Sequence, residues 1–107
     1  RNESLFTDTV YAQSILEHED SDNFNFAIVN FPEATRTKFH IHSGDQILII
    51  TEGEGRVCNE EVELDVTKGD MVLITAGENH WHGAKENTTM SHITITVSGS
   101  TTEVTED

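Results

Sequence analysis

Positive charge is scarce in this chain. Six Lys and Arg stand against 20 Asp and Glu, a formal net charge of −14 over 107 residues. Such a field repels phosphate backbones and anionic headgroups, which argues against nucleic-acid and membrane-surface partners. It also suits a saline milieu. Cysteine is nearly absent: Cys58 alone cannot form an intrachain disulfide, so a reducing, cytoplasmic setting is expected. Nothing around Cys58 marks it as a nucleophile. No apolar run is long enough for a membrane-spanning helix. No apolar stretch with a small-residue cleavage site opens these residues, which begin at Arg1, so no secretory signal is expected in them.

Helical periodicity is missing as well. What replaces it is a succession of short segments rich in β-branched and aromatic residues, broken by Gly, Asn, Asp and one Pro. Strands are expected over 5–16, 24–31, 35–42, 46–51, 56–58, 62–65, 71–74, 80–84 and 90–97. Pro32 opens a turn, and Gly53 and Gly55 suggest a tight hairpin. In 90–97, Ile93, Ile95 and Val97 alternate with Met90, His92, Thr94 and Thr96. Phe39, Ile41, Ile47 and Ile49 read as core, and 71–74 as a buried strand. The acidic loop 17–23 matches no calcium-loop spacing and reads as a solvated turn, with His18 at its surface. Asn87-Thr88-Thr89 is a chance sequon, and 98–107 is an acidic tail expected to fray. Many short strands without linker or repeat predict one all-β domain over 1–107, a sandwich or barrel.

The chemistry gathers in 39–53. His40 and His42, one residue apart in an extended segment, project from the same face. A Ser43-Gly44-Asp45 turn follows, then Gln46, whose amide oxygen can join the two imidazoles. Neutral lone-pair donors so grouped suit a divalent first-row metal. His80 arrives from a separate hairpin, after the turns at Gly69 and Gly77, as a fourth donor.

Taken together, His40-x-His42-x3-Gln46-x6-Gly53 and Gly69-x5-Thr75-x-Gly77-x2-His80 resemble the two motifs of the cupin superfamily. That resemblance implies an RmlC-like jelly-roll β-barrel with His40, His42, Gln46 and His80 around a metal. Two positions depart from the pattern: Gln46 replaces the usual glutamate and Thr75 the usual proline. An all-neutral ligand set leaves the metal its full charge and makes it a stronger Lewis acid; Thr75 is expected to cost only loop rigidity.

A closer resemblance runs through Ala34 to His42, Gln46-Ile47-Leu48-Ile49, His80-Trp81-His82-Gly83-Ala84 and Thr89-Met90-Ser91-His92. These blocks resemble a small-cupin branch that holds carboxymuconolactone-decarboxylase-like cupins and bacterial manganese-dependent hydroxynitrile lyases. The resemblance implies Mn(II), with Fe(II), Ni(II) or Zn(II) as alternatives, and His92 as the general base, with a structural histidine hydrogen-bonded inside the barrel as the other reading of His92. Arg36, His82, Met90 and Thr94 are expected beside the substrate or behind the ligands, with surface placement favoured for His82 and a structural ion pair the alternative for Arg36. Trp81 faces away from the ligands.

The expected function is that of a metal-dependent lyase on a small organic molecule. A dioxygenase, isomerase or decarboxylase is the alternative, and a non-catalytic ligand-binding module the second. Exposed strand edges predict a homodimer or higher homo-oligomer, with exchange of N-terminal strands as one way to form it.

Overall fold

The computed structural model describes residues 5–7, 10–16 and 23–106. Among them every regular element is a strand: β1 (Tyr11–Leu16), β2 (Phe24–Phe31), β3 (His40–His42), β4 (Gln46–Asn59), β5 (Glu63–Thr67), β6 (Met71–Ile74), β7 (His80–Ala84), β8 (Met90–Val97) and β9 (Thr102–Val104). All pairings are antiparallel. One sheet runs β1-β2-β8-β4-β6 and the other β5-β4-β7-β3-β9. No helix long and apolar enough to cross a membrane is found among the described residues. The calcium reading of 17–23 lies mostly outside them, as does His18.

Strand β4 joins the two sheets, and here the hairpin expected at Gly53 and Gly55 is corrected. The chain runs through as one strand of 14 residues, with its register against β8 shifting between Ile50 and Glu52. The two glycines serve that bend. Gly53 has a φ of +77°, and a Cβ there would collide with the Thr89 carbonyl. A Cβ on Gly55 would strike the Gly83 carbonyl and press on the Met90 side chain. Glycine is the residue that lets backbones close to this distance. The first half of β4 can then pair with β6 and β8, and the second half with β5 and β7.

The tail is a second correction. Thr102–Val104 extends the second sheet beyond β3, pairing His40 with Val104 and His42 with Thr102. Glu106 then takes both guanidinium nitrogens of Arg36, at 3.0 and 2.9 Å, and accepts the Phe39 N–H at 2.8 Å. An otherwise open edge of β3 and a half-buried cation hold this acidic segment in place.

The core is one cluster: Val29, Phe31, Leu48, Ile50, Val57, Val66, Ile74 and Met90. Phe39, Ile41, Ile47 and Ile49, expected there, are only half-buried. In 71–74 only Ile74 is buried, while Met71 is 68% and Leu73 60% exposed. The register explains this. Phe26, Ile95, Ile47 and Leu73 form one row across β2-β8-β4-β6, and Ile28, Ile93, Ile49 and Met71 form the next. Residues directly opposite one another share a face of a sheet. Leu48, Ile50 and His92 are buried between these positions, so both rows lie on the outer face.

Candidate metal centre

The inner face carries this core and, beside it, a group of buried polar side chains. His40 of β3 sits directly opposite His80 of β7, and His42 follows on the same face. All three imidazoles are buried. Their ring centroids lie 4.8 Å (His40–His42), 4.2 Å (His40–His80) and 5.5 Å (His42–His80) apart, and one ring nitrogen from each falls within 4.8 Å of the others. Three buried histidines that could hold a metal ion are thus assembled from two strands.

The outer nitrogens of these rings are tied down. His40 Nδ1–H donates to the Lys38 carbonyl at 2.6 Å, and His80 Nδ1–H to the Glu78 carbonyl at 2.9 Å. A carbonyl only accepts, so in a neutral ring the proton is on Nδ1 and Nε2 keeps its lone pair. His42 Nδ1 meets the Thr102 hydroxyl at 2.9 Å and can donate to it in the same tautomer. Such backing bonds orient metal-binding histidines and raise their basicity. Nothing in the sequence marked Thr102, because it stands in a three-residue strand inside an acidic tail.

Gln46, buried at the start of β4, lies beside these rings. Its Nε2 donates to Thr94 Oγ1 at 2.7 Å, so its carbonyl oxygen turns to His80 Nε2, 3.2 Å away. With the His80 proton on Nδ1, these are two acceptors face to face. His42 Nε2 is buried with no hydrogen-bond partner. Lone pairs converging on one point without a donor between them suit a shared cation, and neutral N and O donors suit a divalent first-row metal. These residues fit the ion.

Burial also keeps these imidazoles neutral. It lowers the His40 pKa from its ordinary 6.5 to about 3 and that of His42 to about 4. His80 is shifted the same way, chiefly by burial.

The loop before His80 accommodates Thr75 without proline. Thr75 donates both its N–H and its hydroxyl to Glu78 Oε1, at 3.3 and 3.4 Å. Glu78 Oε2 accepts from Asn59 Nδ2 at 2.8 Å. Its carboxylate thus closes the turn that proline stiffens elsewhere.

His82 is the largest departure from expectation. It is buried, 4% exposed, rather than at the surface. Its Nδ1 lies 3.1 Å from Nε2 of His92, which is wholly enclosed. The His82 ring also packs 5.5 Å from His40 and 5.6 Å from His80. The His92 ring packs against His82 and Phe31. So His82, two residues along the inner face of β7 from His80, stands between the trio and His92. Their far nitrogens, His82 Nε2 and His92 Nδ1, are buried without hydrogen-bond partners. Burial lowers the pKa of His82 well below 6.5 and that of His92 to about 4.

Of the remaining expected residues, Thr94 holds Gln46, and Met90 is a core side chain against Gly55. Arg36 takes its structural alternative. It is clasped by Glu106 and the Thr37 carbonyl, and its guanidinium carbon lies 4.9 Å from the Trp81 ring centroid. A cavity of about 180 Å³ adjoins His80 between β5 and β6, walled mainly by Val57, Val62, Leu64, Val72 and Ile74. Periodicity could not have found it, because its walls come from four separate segments.

The comparisons with known proteins agree with this geometry. Residues 27–106 match the model of the cupin domain family. The chain is 36% identical over 91 residues to an (R)-mandelonitrile lyase of Granulicella tundricola, covering 84% of this chain and 70% of that protein. A cupin-like protein of Thermotoga maritima superposes with a TM-score of 0.90 at 31% identity, over 95% of this chain and 80% of that one. A polyketide cyclase of Streptomyces resistomycificus shares the fold, with a TM-score of 0.84 at 15% identity over 98% of this chain and 76% of its own. The all-strand barrel, the inward histidines and the family match lead to one conclusion: the chain belongs to the cupin family.

Proposed function

We propose that this cupin is a metal-dependent lyase that cleaves a small hydroxylated organic substrate in the manner of a hydroxynitrile lyase. The observation that carries this reading is the juxtaposition of a three-histidine, one-amide cup with a second, neutral histidine pair. A divalent transition metal, Mn(II) before Fe(II), Ni(II) or Zn(II), held by His40, His42, Gln46 and His80, supplies a Lewis acid that acidifies a substrate hydroxyl. The similarity to the (R)-mandelonitrile lyase supports the choice of reaction.

The protein's own part is proton handling and enclosure. With one proton shared between His82 Nδ1 and His92 Nε2, a neutral pair keeps one bare nitrogen at one end and an N–H at the other. Such a pair can take the hydroxyl proton and later return it. His82 is the member in contact with the trio, so His92 acts through it. For a cyanohydrin, loss of the O–H proton turns the oxygen into a carbonyl, the C–CN bond breaks, and its electron pair leaves with cyanide. The cyanide is then protonated by the histidine pair. The apolar walls of the cavity beside His80 receive the organic substituent.

The test is elemental analysis of wild type and His80→Ala, followed by mandelonitrile cleavage in the metal-loaded wild type. Near-stoichiometric metal lost in the variant, together with benzaldehyde release, is the expected result. No metal after reconstitution sinks the metal reading. Metal without cleavage of any cyanohydrin leaves a ligand-binding cupin.

A further inference from the structure

Rings that share a metal ion have to be held to within about 0.5 Å, and what holds them stands behind them. We infer that residues 101–106 are a positioning element of the metal centre proposed above, with Thr105 and Glu106 as its positioning residues. Docking of this segment and uptake of the metal are then one coupled equilibrium. The inference rests on the metal reading.

Strand β3, which carries His40 and His42, is three residues long. On one side it meets β7 at His40 and His80, and the His42 carbonyl accepts the Gly77 N–H at 3.0 Å. On the other side β9 lies along all three residues. An edge strand that merely covered the sheet would need nothing beyond this ladder. Segment 101–106 goes further and reaches all three histidines of the trio, directly or through a chain neighbour. Thr102 Oγ1 meets His42 Nδ1 at 2.9 Å. Ser43, which follows His42, donates its N–H to the Thr101 carbonyl at 3.0 Å and accepts the Thr101 N–H on its hydroxyl at 2.8 Å. Phe39, which precedes His40, is gripped on both sides: its carbonyl accepts the Thr105 N–H at 2.9 Å, and its own N–H donates to Glu106 Oε1 at 2.8 Å. Asn79, which precedes His80, accepts the Thr105 hydroxyl at 2.6 Å. The Arg36 clasp fixes the end of this grip, and it holds the Glu106 carboxyl below its ordinary range, so both oxygens stay charged acceptors. By reciprocity, whatever the docked segment adds to metal affinity, the metal adds to the docking of the segment.

The test reads both directions of the coupling on the 107-residue chain, with Zn(II) alone as the probe. Zn(II) is expected to slow hydrogen exchange at the Ser43, Thr101 and Thr105 amides by about 10-fold or more, while the amides of β5, the other outer strand of this sheet, keep their metal-free rates. In competition with a chelator, Thr105→Val/Glu106→Gln is expected to bind Zn(II) about 10-fold more weakly with an unchanged circular dichroism spectrum, although neither side chain bonds to a ring of the trio. Thr88→Val, which removes a hydroxyl bond to the Glu54 carbonyl elsewhere in the barrel, should bind as wild type does. A purely structural segment would lower the melting temperature of the double variant and leave Zn(II) affinity and the metal dependence of exchange unmoved. That result overturns the inference while the metal reading stands. A wild type that takes up no metal overturns both. Should the double variant not fold, the exchange rates of wild type with and without Zn(II) decide.

Discussion

The side-chain oxygen of Gln46 faces Nε2 of His80 at 3.2 Å because the Gln46 amide nitrogen is held by Thr94. Acceptor is set against acceptor, an arrangement that repels until a cation lies between the two. The Thr94 hydroxyl thus keeps the amide oxygen turned toward the histidine trio, where it could serve a metal.

Thr94→Val should therefore weaken metal binding about 10-fold without unfolding the barrel, the size of loss seen when a ligand's backing bond is removed. Thr102→Val, which frees His42 Nδ1, should do the same. Competition with a chelator, read by metal content, measures both. Unchanged affinity in the two variants would show that neither hydroxyl orients a ligand.

The histidine pair should behave as one unit. His82→Gln and His92→Gln are each expected to lower turnover by about 10²- to 10⁴-fold with metal content retained. The double variant should be little worse than either single one, as for residues that act together. Fully multiplicative losses would mean that the two rings act separately.

Stability of the metal-free protein should depend on pH through the buried imidazoles. The folded values are about 3 for His40 and about 4 for His42 and His92, against an ordinary 6.5. Between these values the unfolded chain binds more protons than the folded one, so stability rises with pH. It should be complete above 6.5 and fall progressively toward pH 4. Each titrating ring contributes a slope of up to about 1.4 kcal/mol per pH unit. Thermal unfolding from pH 4 to 8 checks this, with His92→Gln expected to show a shallower fall.

Arg36→Leu tests the ion pair that anchors the chain's end. Loss of the two bonds to Glu106 should cost about 1–2 kcal/mol in urea unfolding. KM should stay unchanged, because the guanidinium is already occupied. A raised KM with unchanged stability would restore Arg36 to the substrate site.

Much of the centre was legible from local pattern alone. His40, His42 and Gln46 lie within seven residues, and strand alternation with one short turn suffices to aim them together. Gly69 and Gly77, at φ values of +97° and +84°, mark the turns that bring in His80. These are short-range consequences of backbone geometry, and a single sequence carries them.

Tertiary structure decided what alternation leaves undetermined. In 47–50 every residue is apolar, so the pattern has two equivalent faces and no sign of which points inward. The pairing of β4 with β6 and β8 sent Leu48 and Ile50 in, and Ile47 and Ile49 out. The same long-range pairing brought Thr102 to His42, Glu106 to Arg36 and His82 to His92. Sequence by itself determined which residues could bind a metal. Only the closure of two sheets on each other determined which groups stand behind them, because those contacts join segments 10 to 70 residues apart.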